Sequence, residues 1–497
     1  MNSKYRLTPL AACMAVGALL SVSVMPTAAQ TPDVQAQIRA LQDQIGAFQQ
    51  QVRDLQAQVN NAQASADALQ KTGGPVNKDH PGFWKLPGTE TWMSVGGHAK
   101  LDFIYDSKES VGPQTDFSAI PMQGSPGSDR GHTFSGTNDK QTEIDVETNT
   151  PTPYGDLASR VETDFYLSSQ GNPNISNSYA LRLRNAYFSL GPWLLGQWWS
   201  TFQDQAVGPN ILDFNGPAGQ VSIRQPQIRY TKVVDANQYM FSIENSSPDY
   251  FSPAGFYNGN VNNINVDGQG GDPAGCTLGR VTPCSNGPSA LSKFPDLVAR
   301  WENDGDYGHV SLQAVARDIS VDTGSIGVPA GSVLKTSKWG FGLGISGQYN
   351  MNQLSPTLGG DNILYSFQGG PGIGRYLQDL LFNGAILNDN THELDLVTSM
   401  GGFIAYEHFW NDIWESNIAL GWEKSDLKDV DQLIAGGAQL TSKSMSAQVN
   451  LMVHPYPNTT FGIETSIGRR YVEGFIPAGQ SNYGDLRRFQ FTAAYQF

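Results

Sequence analysis

The 497-residue sequence has few cysteines, few charges and, beyond its N-terminus, no long apolar run. Charged residues make up 15% of the chain. After residue 29 there is no stretch of the roughly 18 apolar residues that a membrane helix needs. The mean hydropathy of -0.34 is also too low for a helical membrane bundle. A closed β-barrel is then the remaining backbone arrangement that can cross a bilayer.

Catalytic and cofactor motifs are also scarce. The chain has no HExxH, no GxSxG and no recognisable Ser/His/Asp set. Residues 342–347 fit GxGxxG, but they lie in an alternating segment that no helix pattern follows, which disfavours nucleotide binding. His98, His309 and His454 fall on polar strand faces and are interpreted as pore-lining residues. We therefore expect no enzyme activity, no cofactor and no metal site.

The first 29 residues have the pattern of a secretory signal peptide. Lys4 and Arg6 form a basic start, residues 10–25 are apolar, and Thr27-Ala28-Ala29 suits signal-peptidase cleavage. An alternative is a lipid anchor on Cys13, which ends the lipobox-like Leu10-Ala11-Ala12-Cys13. The apolar stretch before Cys13 is too short to favour it.

Cleavage leaves a strongly acidic chain with two cysteines. It removes Lys4 and Arg6 and no acidic residue, so 29 basic side chains remain against 46 acidic ones and the mature charge is -17. This disfavours nucleic acid as a partner. Cys276 and Cys284 remain, and in an oxidising compartment we expect a disulfide between them. Metal binding is less favoured because no histidine or second cysteine pair lies at ligand spacing.

Residues 30–71 have the heptad pattern of an α-helical coiled coil. Apolar residues recur at steps of four and three without interruption: Val34, Ile38, Leu41, Ile45, Phe48, Val52, Leu55, Val59, Ala62, Ala66 and Leu69. The pattern predicts a self-associating coil, located in the periplasm, and a single amphipathic helix is the alternative. Residues 72–91 contain Gly73-Gly74-Pro75, Pro81-Gly82 and Pro87 and are predicted to form a linker.

From residue 92 to residue 497 the dominant period changes to two. In residues 93–105 the odd positions are mostly apolar and the even positions are mostly polar. Similar segments recur, separated by short turns and long Gly/Asn/Pro loops, which is typical of a transmembrane barrel. A soluble sandwich, the alternative, has shorter strands. We predict an all-β fold, an antiparallel transmembrane β-barrel of about sixteen strands, preceded by the α-helical coiled coil.

Aromatic side chains support a membrane location. They cluster where strands would meet lipid head groups: Trp193, Trp198, Trp199, Phe202, Trp410, Trp414, Trp422, Tyr471 and Tyr495. The terminal Phe497, with Tyr495 on the same strand face, resembles the closing strand that the outer-membrane assembly machinery recognises.

The order of signal, heptad segment, linker and barrel resembles the DcaP-like outer-membrane porins. Residues 95–102, 196–202 and 224–230 carry the resemblance. It implies a trimeric, anion-preferring channel for small carboxylated solutes, with residues 202–220 folding into the pore. One feature of the sequence does not fit a trimer. β-branched residues alternate with leucine at the core positions of the coil, a pattern that favours two strands.

Candidate solute-binding residues are arginines on the polar faces of the predicted strands. They are Arg160, Arg182, Arg184, Arg229, Arg300, Arg317, Arg470 and Arg488. A guanidinium binds a carboxylate bidentately and stays charged at any working pH. Arg229 and Arg182 rank first because they lie near the expected pore loop. The alternative is neutralisation by acids that share those faces, namely Glu162, Asp164, Asp296, Glu302 and Glu464.

These features predict an outer-membrane porin for passive diffusion of small polar solutes, with a preference for small anions such as dicarboxylates. Its expected partners are copies of itself, in the homotrimer that the resemblance implies, outer-membrane lipid and the anionic solutes. A different class remains open, a structural protein whose barrel does not conduct and whose coil tethers it to the cell wall. Stable channel steps in a planar bilayer distinguish the two classes.

Deleting residues 31–71 should leave the conductance per channel nearly unchanged, because the linker lets the barrel insert independently of the coil. Single-channel recording of the deletion variant beside the full chain measures this. A correctly inserted deletion variant with a lost or much altered channel would contradict the separation of coil and pore.

Overall fold

The computed structural model describes residues 82–128, 130–166, 179–247, 249–251, 293–322, 335–380, 383–388, 391, 393–428, 430–435 and 438–497. The chain divides into two units, Met1–Gly74 and Pro75–Phe497, and every described residue belongs to the second. The predicted signal peptide, the predicted coil and residues 72–81 of the linker lie outside the described residues. Cys276 and Cys284, the predicted disulfide, do so as well.

Strands dominate the described part of the chain. In chain order they are β1 (Trp84–Lys85), β2 (Trp92–Lys108), β3 (Thr133–Asn138), β4 (Glu143–Thr152), β5 (Gly155–Asp164), β6 (Arg182–Leu190), β7 (Trp193–Trp199), β8 (Arg224–Val234), β9 (Asn237–Glu244), β10 (Tyr250–Phe251), β11 (Asp296–Gly305), β12 (Gly308–Asp322), β13 (Lys335–Asn350), β14 (Asn362–Pro371), β15 (Ala385–Leu387), β16 (Leu394–Leu396), β17 (Thr398–Asn411), β18 (Trp414–Asp426), β19 (Gln439–Val453), β20 (Thr459–Gly474) and β21 (Tyr483–Gln496).

Helices in the described part of the chain are short. One α-helix, α1 (Val430–Ala435), lies between β18 and β19 in the described residues. Short 3-10 helices occur at Phe117–Ala119, Gln205–Val207, Met351–Gln353, Pro356–Leu358 and Gly374–Tyr376. Among the described residues, no helix has the length and apolar character that crossing a bilayer requires.

The strands close into a ring of sixteen antiparallel positions. Consecutive strands pair in order, and β21 pairs back onto β2 from His98↔Gln496 to Lys108↔Arg487. Strands β3 and β4 both pair with the other edge of β2, one along each half, and together make one ring position. The strand count predicted from the sequence therefore agrees with the ring. Strand β1 pairs antiparallel with the first residues of β2, and β10, β15 and β16 form a separate small sheet.

The two ends of the ring differ in their connections. At the end that carries the C-terminus, which we call the turn end, five connections are two-residue turns between paired residues: Thr152 and Gly155, Leu190 and Trp193, Val234 and Asn237, Gly305 and Gly308, and Asn411 and Trp414. Asp235 takes a left-handed φ of 53° in one of them, a conformation that aspartate tolerates well. The opposite end, the loop end, carries most of the long connections, and the longest connection at the turn end is residues 351–361, between β13 and β14.

Burial in the barrel is inverted relative to a soluble protein. On β19, Ser444 and Gln448 face inward and are 0% exposed, whereas Met445 and Val449 face outward and are 42% and 50% exposed. Leu343 on β13 is 70% exposed. A surface this apolar, with polar residues alternating behind it, is stable only when hydrocarbon covers it. The ring is therefore a transmembrane barrel with a polar interior.

Exposed aromatic residues mark the turn-end boundary of the apolar surface. They are Tyr154, Trp193, Trp410, Trp414, Tyr456 and Tyr495. Of the aromatic residues predicted to meet head groups, Phe202 does not: it is 2% exposed and packs in a buried cluster with Val221 and Tyr376. The prediction for Phe202 was wrong because the residue belongs to a loop that turns inward after β7.

Replacing Leu343 with arginine should destabilise the barrel by about 2–4 kcal/mol, because the charge would enter the hydrocarbon midplane. The matched control is Leu354→Arg. Leu354 is 66% exposed but lies in the connection between β13 and β14, where the penalty should be about 0–1 kcal/mol. Unfolding titrations in lipid vesicles measure both. Equal penalties would contradict the membrane placement of β13.

Candidate functional site: the inner loop and the arginine wall

Residues 200–223, between β7 and β8, form a loop inside the barrel, which we call the inner loop. Its backbone N–H groups donate to carboxylates on the inward faces of distant strands. The contacts are Thr201 N to Glu244 at 2.7 Å, Asn210 N to Glu407 at 3.1 Å, Leu212 N to Glu464 at 2.7 Å and Asp213 N to Glu464 at 3.2 Å. Wall carboxylates on β9, β17 and β20 therefore hold the loop within the lumen.

Asp204 fixes the first part of the inner loop. Its carboxylate accepts from the hydroxyl of Ser346 at 2.6 Å and contacts His309 Nε2 at 3.0 Å. The other ring nitrogen of His309 lies 2.7 Å from Asp304. Burial opposes ionisation of Asp204, but the hydrogen bonds from His309 and Ser346 outweigh it and lower the pKa of this carboxyl. Asp204 is thus an ionised anchor on β12 and β13.

The same region brings together potential metal ligands. Asp204, Glu302 and His309 place one ligand atom each within 4.8 Å of one another. However, Arg300 pairs with Glu302 at 2.9 Å, and His309 bridges two aspartates. Arg300 and His309 already contact these carboxylates, so we interpret the group as the loop anchor.

Close backbone packing holds the return path of the inner loop. A Cβ on Gly219, which has a φ of +83°, would lie 2.1 Å from the carbonyl oxygen of Trp422. A Cβ on Gly421 would lie 2.3 Å from the carbonyl oxygen of Ala218. Glycine at both positions therefore lets the loop backbone lie directly on the inner face of β18.

Arg488, a predicted pore-lining residue, is fully enclosed. Its guanidinium pairs with Asp106 at 2.8 and 3.1 Å and also contacts Asp213 of the inner loop at 3.4 Å. It is 0% exposed. Arg488 therefore ties β21 to β2 and to the loop, and no surface remains for a solute.

Arg317 is enclosed in the same way. It pairs with Asp249 at 2.9 Å, lies 3.7 Å from Asp296 and donates to the carbonyl of Gly372 at 3.0 Å. It is 0% exposed. This arginine joins β12 to the small sheet region, and we leave Arg317 and Arg488 out of the solute pathway.

Three other predicted arginines are half-buried and paired with wall acids. Arg182 binds Asp164 through Nε at 2.9 Å and Nη2 at 2.6 Å. Arg184 contacts Glu143 at 3.0 Å, Glu162 at 2.5 Å and Asp164 at 2.9 Å, and Arg160 contacts Glu147 at 2.8 Å and Glu162 at 3.0 Å. The neutralisation weighed at the sequence level therefore applies to these residues.

Arg229 differs from the paired arginines. It faces inward on β8, in register with Leu194 and Ser242, and is half-buried. Within the described residues its guanidinium has no carboxylate at ion-pair distance, and its Nε has no hydrogen-bond partner. Its neighbour Arg300 adds a second positive charge, although Arg300 also contacts Glu302 and the carbonyl of Gln203.

Arg470, on β20, donates to Thr441 at 2.9 Å and to the carbonyl of Ile120 at 3.1 Å. It shares with Arg229 the lack of an ion pair to any described carboxylate. Its partners belong to the loop-end packing around residues 117–120, so it holds that loop. We use the name arginine wall for the inward Arg160, Arg182, Arg184, Arg229 and Arg300.

Sequence reasoning missed Arg224. This first residue of β8 stacks on Trp199 with its guanidinium carbon 3.5 Å from the ring centroid. It is half-buried without a described carboxylate partner, and its charge interacts with Arg184 and Arg182. Strand alternation assigns Arg224 to the outer face together with Pro226 and Ile228, so it was not selected as a pore-lining candidate. The adjacent Trp198-Trp199 pair was the available signal.

Comparison with known proteins agrees with this architecture. The model of the DcaP outer membrane protein family matches residues 23–275, slightly more than half of the chain. The outer membrane channel DcaP of Acinetobacter baumannii has a TM-score of 0.60 at 17% identity, covering 86% of this chain and 100% of that one. The anion-selective porin from Comamonas acidovorans gives a TM-score of 0.45 at 11% identity, over 82% and 100%. No curated protein matches the sequence.

A closed sixteen-stranded barrel with an apolar outside and a loop folded into its polar lumen defines an outer-membrane channel of the porin type. The extent of the family match places the chain more closely. It belongs to the DcaP outer membrane protein family.

The Asp204 anchor makes the inner loop acid-sensitive. Because the folded pKa of Asp204 is lowered below its ordinary 3.8, its stabilisation is complete above pH 3.8 and is lost as pH falls through the folded pKa. Single-channel current should be quiet down to about pH 4 and fluctuate at lower pH. Asp204→Asn should fluctuate at every pH, since hydrogen bonds to a charged group contribute about 1.5–3 kcal/mol.

Asp235→Asn, in an exposed turn, is the control and should behave like the unmodified chain. An Asp204→Asn channel as quiet as the unmodified one at neutral pH would show that Asp204 does not hold the loop.

Proposed function

We propose that this member of the DcaP family is a diffusion channel for small polar solutes that prefers anions, dicarboxylates among them. The observation that carries the proposal is Arg229, an inward and half-buried guanidinium without a carboxylate partner in the described residues. A guanidinium in that state can bind a passing carboxylate bidentately without first breaking an ion pair.

The distribution of acids supports an anion preference despite the mature charge of -17. Glu244, Glu407 and Glu464 accept hydrogen bonds from the backbone of the inner loop and lie 1%, 8% and 3% exposed. Asp106 forms an ion pair with Arg488. Charge at the constriction, where walls of low dielectric focus the field, governs selectivity more than net charge does.

The paired arginines are weaker candidate sites for solute binding than Arg229. Arg160, Arg182 and Arg184 retain some exposure, with side chains 27%, 16% and 12% accessible. Their carboxylate partners weaken their pull on a solute, so we rank them below Arg229. Arg182, ranked with Arg229 from the sequence, is held by two hydrogen bonds to Asp164 and moves down for that reason.

We further propose that the turn end faces the periplasm and that the chain works as a homotrimer. Strand β2 begins at the turn end, and the heptad segment that precedes it in the sequence is expected in the periplasm. Contacts between barrels would have to determine the trimer, because the apolar heptad positions of the coil by themselves favour a two-stranded assembly. Chemical cross-linking of the full chain in membranes reports the copy number.

Arg229→Gln should lower dicarboxylate influx about fivefold, which corresponds to about 1 kcal/mol for one partly screened charge. Influx of a neutral sugar of similar size should change little. Lys232→Gln is the matched control, because Lys232 is exposed on the opposite face of the same strand. Liposome swelling with both solutes measures the difference.

Equal loss for the dicarboxylate and the sugar would mean that Arg229 only shapes the pore. A purified barrel without channel steps in a planar bilayer would favour the tether class instead.

A further inference from the structure

The outer surface near the loop end carries a group of cations that the solute pathway does not use. Five exposed or half-exposed basic side chains lie on the outward faces of the adjacent strands β18, β19, β20, β21 and β2. We call them the outer cationic belt, and they are Lys424, Lys443, Arg469, Arg487 and Lys108.

Strand register makes the belt continuous. Lys424 is the register partner of Lys443, and Lys443 in turn faces Tyr471, whose ring centroid lies 5.5 Å from its ammonium. On the other side, Arg487 is the register partner of Lys108. The cations thus cross five neighbouring strands, and strand pairing fixes their spacing.

Few acids compensate the belt. Asp485 binds Arg469 at 2.5 and 3.1 Å and Lys108 at 3.2 Å, so two cations share one carboxylate. Asp426 and Glu473 are also exposed on these strands. Within the described chain, Lys424, Lys443 and Arg487 have no carboxylate at ion-pair distance.

An apolar groove adjoins the belt. It has a volume of about 840 Å³ and is lined by Ile404, Leu420, Trp422, Met445 and Ile467, with Arg469 and Arg487 also in its wall. Trp422, Met445 and Ile467 are 37%, 42% and 50% exposed. An apolar groove with guanidinium groups at its edge has the charge and polarity pattern of an amphiphile with an anionic head.

We propose that the belt and groove bind a phosphorylated glycolipid of the outer leaflet. Its phosphates would accept charge-assisted hydrogen bonds from Arg469 and Arg487, and its acyl chains would fill the groove. The inference rests on the proposed orientation, in which the turn end faces the periplasm and the loop end faces the cell exterior. A second protein copy would instead have to bury several unpaired cations, which is costly.

Native mass spectrometry of the purified full chain with added bis-phosphorylated lipid A tests the site. Arg469→Gln/Arg487→Gln should weaken lipid binding about tenfold or more, which corresponds to about 1.4 kcal/mol, because the charge-assisted hydrogen bonds to the phosphates are lost. Lys293→Gln/Lys335→Gln is the matched control, because both lysines are exposed at the loop end outside the belt. It should bind like the unmodified chain.

A second variant, Arg469→Lys/Arg487→Lys, keeps the charges and should retain most of the binding, which separates loss of phosphate contacts from misfolding. Unchanged binding in the glutamine variant would overturn the proposal. So would equal binding of dephosphorylated lipid, or displacement of the lipid by inorganic phosphate alone. Conductance and ion preference should not change in the glutamine variant, so a failure here leaves the channel proposal intact, and the reverse also holds.

Discussion

The structure depends on the pairing of every strand edge inside a medium that offers no hydrogen bonds. Closure of β21 onto β2 removes the last two free edges, and Arg488 with Asp106 adds an enclosed ion pair at that seam. Once the ring is closed, the period of two decides what each side chain meets. Apolar positions such as Leu343 face hydrocarbon, and polar positions such as Gln448 face the lumen.

A polar lumen makes an internal loop possible. Backbone N–H groups of residues 200–223 would be unsatisfied inside an apolar core, but here wall carboxylates accept from them. The same contacts change the electrostatics of the channel. Glu464 and Glu407 are used to hold the loop, whereas Arg229 is left without a partner in the described residues. An acidic protein can in this way present a guanidinium to its solute.

Periodicity alone was sufficient to predict the barrel and its approximate strand number, because each strand is long and has one lipid-facing side. Periodicity could not predict which side chains pair across strands. Arg488 meets Asp106, 382 positions away in the sequence, only because the ring closes in one register. Arg224 was missed and Phe202 was misjudged for a related reason. Both lie where a strand joins the inner loop, and there strand parity does not tell which way a side chain points.

The reversal potential of the unmodified full chain in a planar bilayer, under a salt gradient, tests the central claim most directly. If Arg229 and the rest of the arginine wall dominate the electrostatic field in the lumen, the potential takes the sign of anion selectivity even though the chain is strongly acidic. A potential with the sign of cation selectivity would contradict the account.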